Sequence, residues 1–223
     1  IVTLPIMIRL LRYFYPITKK IKSEYNGTVE ITWYNGKKQL NTKNANYSYG
    51  SLQKILKIGL KNIDLNPCKN ILILGLGGGS VVKTLREDFN YQNSITAIDI
   101  DPVIISIAKK EFDISEDQKL EILCADALEF MAKNNKEFDL IIIDLFVDTE
   151  IPDSFFSESF WNNITKSTGQ NGSVLFNASL HQKDDKKLSR VIALLKKNNY
   201  AIQKLENVNE TNTLLIAKSS NRM

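Results

Sequence analysis

Residues 70–80 read NILILGLGGGS, an unbroken apolar run that ends in four glycines within five residues, Gly75, Gly77, Gly78 and Gly79. An apolar run of this length predicts a strand buried on both faces. Glycines at its end allow a sharp turn with positive φ and let a ligand approach the main chain where no Cβ intervenes. The following SVVKTLRED opens a helix. Strand, glycine turn and helix N-terminus together predict a nucleotide-sized ligand at the carboxyl edge of a parallel sheet.

The segments that follow alternate in the manner of βαβ units. SITAIDI at 94–100 predicts a second strand, and Asp99 at its end lies about 20 residues beyond the glycines, where an acid can accept both ribose hydroxyls. Asp101, just before Pro102, is expected to cap the next helix. LEILCAD at 120–126 predicts a third strand, and Asp126 at its end suits both an adenine amino group and an N-cap, two roles that can coexist. FDLIIIDLFVDTEIP at 138–152 holds the fourth strand and releases Asp144 above the same crevice, with Asp148 and Glu150 in the loop beyond. A carboxylate there can hold a cationic substrate or accept a proton from a nucleophile; the plainer role for Asp144 is a turn cap, and for Asp148 simple solvation. Residues 154–167 predict a helix with Phe155, Phe156, Phe160 and Trp161 as core, followed by a strand at 173–178, a helix at 184–197 and an antiparallel hairpin of strands 200–205 and 212–217.

Upstream, residues 28–40 alternate Val29, Ile31 and Trp33 with polar positions and run into Asn35-Gly36, a strong hairpin signal. Trp33 is expected as a core or interface anchor rather than a ligand platform. Leu52, Ile55, Leu56 and Leu60 mark one face of a helix that Asn66-Pro67 ends. The first 15 residues are rich in large apolar side chains, but Arg9 and Arg12 interrupt them short of the roughly 18 residues a membrane span needs. A helix there, with Ile6, Ile8, Leu10, Leu11 and Phe14 on it, is expected to pack on the main domain or on a second subunit, which leaves a homodimer open. The expected division is residues 1–48, a helix and β-hairpin element, and residues 49–223, a Rossmann-like domain.

Composition narrows the classes. With 43% hydrophobic residues in 223 the chain can fill a sizeable core, and 29 basic against 25 acidic residues give a net charge of +4, too mild for a nucleic-acid footprint. The cysteines Cys68 and Cys124 and the one histidine, His181, offer no zinc spacing. No metal is expected. Both thiols read as packed and free, His181 as a surface residue, and the setting as a reducing cytoplasm.

These motifs resemble the class I S-adenosylmethionine-dependent transferases, and within them the spermidine synthase-like branch, over residues 47–167. ILILGLGGGS is similar to the branch's glycine motif, AIDIDP to its ribose-binding strand end, ILCADALEFM to its adenine-binding segment and FDLIIIDLFVD to its catalytic strand end. The resemblance implies an α/β, Rossmann-like methyltransferase fold with a mostly parallel sheet and a C-terminal antiparallel hairpin. By it Gly75, Gly77 and Gly79, with Gly78 between them, line the cofactor's methionine and ribose portion. Asp99 holds the ribose with Ile100 beside it, Asp126 and Ala127 meet the adenine, and Asp144 lies by the reacting centre.

The departures fall on the acceptor side. Where aminopropyltransferases of this branch carry an aspartate in the glycine loop the chain has Gly78. Their tyrosine is followed by histidine or glutamine and then glutamate, whereas Tyr49 is followed by Gly50 and Ser51, and Asp144 is followed by Leu145, Phe146 and Val147 before Asp148. The expectation is therefore methyl transfer from S-adenosylmethionine to a small acceptor, with Asp144 and Asp148 as catalytic carboxylates and Tyr49, Leu145 and Phe146 at an apolar acceptor channel. Aminopropyl transfer from decarboxylated S-adenosylmethionine to a polyamine is one alternative. A catalytically silent nucleotide-binding interaction module is the other.

Overall fold

The computed structural model describes residues 16–42, 46–180 and 186–220, with the side chains of residues 34, 46, 47, 179 and 180 left aside. The expected N-terminal helix, His181 and the first two residues of the helix expected from 184 lie outside the described residues.

The central sheet is built from why β5 (Asn70–Leu74) must be buried on both sides. Its alternate residues face opposite ways. Ile71 and Ile73 join one apolar cluster and Leu72 and Leu74 another. β8 (Phe138–Ile143) divides in the same way, Leu140 and Ile142 against Ile141 and Ile143. The first face is covered by α1 (Gly50–Leu60), α2 (Ser80–Lys83, continued by a π-helical turn over Thr84–Asp88) and α3 (Pro102–Phe112). The second is covered by α4 (Ala127–Lys133), α5 (Glu158–Ser167) and α6 (Lys186–Lys197).

Seven strands lie in the order β10, β11, β9, β8, β5, β6, β7, with β6 at Ser94–Asp99, β7 at Leu120–Cys124, β9 at Thr168–Leu180, β10 at Tyr200–Val208 and β11 at Asn212–Ser219. Strands β5 to β9 pair in parallel, and β11 runs antiparallel to both its neighbours. Chain order moves outward from β5 to β7 on one side and from β8 on the other. The crevice between β5 and β8 is thus the point where the order reverses, and ligands bind there in open α/β sheets.

The N-terminal β element is larger than a hairpin. β1 (Ile17–Lys22), β2 (Thr28–Tyr34), β3 (Lys37–Asn41) and β4 (Asn46–Ser48) form an antiparallel sheet in sequence order. β1 escapes a periodicity reading because it is an edge strand with Lys19, Lys20 and Lys22 exposed; charged edges discourage further strand pairing. Val29, Ile31 and Leu40 are buried in the same cluster that covers β5, and Trp33 is half-buried beneath the Lys38 ammonium, 5.1 Å from the ring centre.

Three further expectations are corrected. Cys124 is exposed while Cys68 is buried, because β7 is the sheet's edge. The helix expected over 154–167 is split: a 3₁₀ turn over Asp153–Phe156 comes first, then Ser157 caps α5 through a bond from Phe160 N, so Phe155 and Phe156 are half-buried beside the fully buried Trp161. β9 begins at Thr168 rather than 173, because a register shift between Phe138 and Leu140 accommodates the extra residues.

Candidate active site

Four strand ends converge on the crevice. β5 gives way to Gly75, whose φ is +94° and whose missing Cβ leaves room for the Asp144 carbonyl. Gly75 N and Leu76 N both donate to Ile98 O, at 2.9 and 3.0 Å, and Asp144 N donates to Leu74 O at 2.9 Å, so the turn stays stitched to its neighbours. A cavity of about 260 Å³ opens here, walled by Gly75, Ile98 to Ile100, Ala125 to Leu128, Asp144 to Val147, Pro152, Ser154 and Phe155. The turn between β1 and β2 adds Tyr25 and Asn26.

Asp99 is almost fully buried. One oxygen accepts from Gly77 N (2.9 Å) and the other from Asp101 N (3.0 Å). Burial pushes its carboxyl up to about 6, against the pull of those two backbone donors. Each carboxylate oxygen keeps a lone pair for a further donor.

Asp101 caps α3 as expected, accepting from Val103 N (2.9 Å) and Ile104 N (3.3 Å) through Oδ1. Its Oδ2 does a second job: it accepts from the Ser23 hydroxyl and from Tyr25 N (3.1 Å), clamping the β1–β2 turn over the cavity. Burial works to raise this carboxyl, but the four donors outweigh it and hold the group below the ordinary carboxylate range. Asp126 caps α4, with Leu128 N (2.7 Å) and Glu129 N (3.0 Å) both on Oδ1. It also stands on the cavity wall.

Asp144, half-buried at the end of β8, accepts from Asn177 Nδ2 at 2.9 Å. Burial pushes its carboxyl up to about 6 and the Asn177 bond restrains the rise. A carboxylate with a midpoint near the working pH is suited to take a proton from an acceptor.

The remaining predicted positions divide between the cavity wall and its surroundings. Asp148 adopts φ +55° and accepts from the Thr42 hydroxyl at 2.6 Å, outside the cavity wall, and Glu150 is exposed. Tyr49 is buried with its ring stacked on Phe112, centres 4.4 Å apart, and its hydroxyl has no partner among the described residues. Ser48 and Tyr49 press on Gly78, where an added Cβ would come within 2.9 Å of the Ser48 Cβ and 3.3 Å of the Tyr49 ring. Gly79 caps α2 in the left-handed region, and Gly77, Gly78 and Gly79 stand behind Gly75 rather than on the wall. Leu145 and Phe146 are on it, as are Ile100 and Ala127.

Sequence reasoning missed Tyr25, Asn26 and Asn177. Asn26 lines the cavity, and its Oδ1 is buried without a partner among the described residues. Asn26-Gly27 is the same turn signal as Asn35-Gly36 and could have disclosed the β1–β2 turn. Asn177, an amide within an apolar strand, carries no motif.

The fold agrees with known proteins. A spermine/spermidine synthase domain model matches residues 54–207. The chain is similar to the eEF1A lysine and N-terminal methyltransferase homolog of Drosophila pseudoobscura pseudoobscura, 28% identical over 160 residues that cover 67% of this chain and 23% of that protein. It is similar also to the polyamine aminopropyltransferase of Sulfolobus acidocaldarius, 30% identical over 128 residues, 52% of this chain and 41% of that one. The chain spans less than half the length of these curated relatives. Human methyltransferase-like protein 13, solved in complex with SAH, superposes with a TM-score of 0.63 at 23% identity, over 78% of this chain and 84% of that one, a likeness of fold. With more than half of its residues matched by one family model, the chain belongs to the spermine/spermidine synthase domain family.

Proposed function

We propose that the chain is an S-adenosylmethionine-dependent transferase that moves a methyl group to a small acceptor. The observation that carries this reading is the convergence of Gly75, Asp99, Asp126 and Asp144 on one cavity at the sheet's reversal point. The walls suit an adenosyl group: Ile98, Ile100, Leu128 and Phe155 offer apolar faces to a base, and Asp99 offers acceptors to ribose hydroxyls. The relatives' names support the cofactor class, one being a methyltransferase and the other an aminopropyltransferase.

In this reading Asp99 and Asp126 hold the ribose and the adenine edge, and Ala127 lets the base lie close to the N-terminus of α4. S-adenosylmethionine supplies a methyl carbon already activated by its sulfonium. What the protein adds is alignment and exclusion of water. Asp144 orients the acceptor and takes up its proton, Asn177 keeps the carboxylate in place, and Leu145 and Phe146 shape the acceptor side.

Two observations favour methyl over aminopropyl transfer. Ser48 and Tyr49 occupy the space where an aspartate at position 78 would stand, and Asp148 accepts from the Thr42 hydroxyl away from the cavity wall. Of the two predicted catalytic carboxylates, a diamine in the cavity therefore meets Asp144 and not Asp148. Among the described residues no helix is long and apolar enough to cross a membrane; we place the enzyme in the cytoplasm.

Calorimetry with S-adenosylmethionine and its decarboxylated form tests the assignment. Tighter binding of the carboxylated form is expected. Preference for the decarboxylated form, with turnover of putrescine, would replace this reading by the aminopropyl one, and binding without turnover over a broad amine and hydroxyl panel would favour a silent nucleotide-binding module.

A further inference from the structure

We propose that Thr211, Asn212 and Asn177 form a polarised hydrogen-bond relay that holds Asp144 in position and in its carboxylate form, so that the two asparagines are positioning residues for the reaction. Both amides are buried, Asn177 completely within β9 and Asn212 all but completely at the start of β11. Burying a primary amide is costly unless its donors and acceptors are paired. Here they are paired with each other in a line. The Thr211 hydroxyl donates to Asn212 Oδ1 at 2.7 Å, Asn212 Nδ2 donates to Asn177 Oδ1 at 2.8 Å, and Asn177 Nδ2 donates to Asp144 Oδ1 at 2.9 Å.

The line has one sense. Its inner end is a carboxylate, which when ionised only accepts, so Asn177 must present its amide hydrogens to Asp144 and its oxygen to Asn212. Asn212 must then present its own hydrogens inward and its oxygen to a hydroxyl that can donate. Each link polarises the next, and a buried chain of this kind strengthens its last bond. It crosses from the β10–β11 turn through β11 and β9 to the end of β8, and so ties the carboxylate to three strands rather than to its own loop. Were the amides present only to fill the core, an apolar pair of similar volume would serve as well.

The other charged groups do not explain the arrangement. Asp99 and Asp126 face the same cavity from β6 and α4, Asp148 is paired with Thr42, and Asp153 with Lys187 beyond Pro152. Burial raises Asp144's midpoint and the bond from Asn177 lowers it. The acidic members of the cavity could only make ionisation harder; among the described residues the relay is the element that favours it.

The relay concerns Asp144 itself, while its catalytic consequence rests on the proposed function. The test is a carbon-13 titration of the Asp144 side-chain carboxyl in the ligand-free chain, its signal assigned by Asp144→Asn. Asn177→Leu is expected to raise the midpoint by about one pH unit, about tenfold in proton affinity. Asn212→Leu, which leaves the direct contact intact, is expected to raise it less, and Thr211→Val least. An unchanged midpoint in Asn212→Leu overturns the relay, even where Asn177→Leu fails to fold, and an unchanged midpoint in a folded Asn177→Leu overturns the role of Asn177. Binding of S-adenosylmethionine to the parent chain reads the other question separately. Its failure would remove the proposed function and leave the titration result standing.

Discussion

Replacing Asp144 with Asn should stabilise the protein at neutral pH while abolishing transfer. Burial moves this carboxyl from an ordinary 3.8 to about 6. A folded-state midpoint above the unfolded one means that between these values the native state keeps a proton the unfolded chain has released. Stability therefore falls as pH rises from about 4 to 6, and the loss is complete above it. A displacement of this size corresponds to about 3 kcal/mol at pH 7.5. Asparagine removes the charge but keeps an oxygen that can accept from Asn177 Nδ2, so the 2.9 Å contact survives. Urea unfolding of parent and variant at pH 4 and pH 7.5 measures the difference. The variant should gain about 2 to 3 kcal/mol at pH 7.5 and little at pH 4, because at the lower pH the parent's Asp144 is already protonated. A variant no more stable than the parent at pH 7.5, or a gain equal at both, would refute the claim that this carboxylate is held ionised against its surroundings.

Asp99→Ala should weaken S-adenosylmethionine binding by about 1 to 3 kcal/mol through loss of charged hydrogen bonds to the ribose, read by calorimetry; an unchanged affinity would remove Asp99 from the site. Asp101→Ala should cost about 2 to 3 kcal/mol in a denaturant melt, since it strips the cap of α3 and the clamp on Ser23 and Tyr25 together. Because Asp101 is held below the ordinary range, its contribution is present at neutral pH and disappears as pH falls through its folded midpoint, so parent and variant melts should draw together in acid. Gly75→Ala, with φ +94° and the Asp144 carbonyl in the way, should cost more than about 2 kcal/mol, whereas Gly27→Ala, with φ +66° and open space around it, should cost about 1; equal losses would mean that crowding at the crevice is not what selects Gly75.

The parallel sheet was legible because its strands are buried on both faces and announce themselves as apolar runs, and because each ends in a residue that must do something there. Gly75, Asp99, Asp126 and Asp144 were readable as strand ends, and the caps of Asp101 and Asp126 as acids before a helix. What escaped depends on tertiary context. The lysines of β1 hide an edge strand, and with it the turn that brings Tyr25 and Asn26 to the cavity. Asp148 and Tyr49 follow the spacing of functional residues, yet one turns to Thr42 and the other packs against Gly78 and Phe112. Asn177 and Asn212 meet only because β9 and β11 pair, a long-range register that periodicity cannot disclose.

The most direct measurement is a crystal structure of the chain grown with S-adenosylhomocysteine. It should show the base between Ile100 and Leu128, the ribose hydroxyls on Asp99 and the thioether sulfur on the side of Asp144. A ligand bound away from these residues, or side chains closing the space between Asp99 and Asp144, would contradict the account.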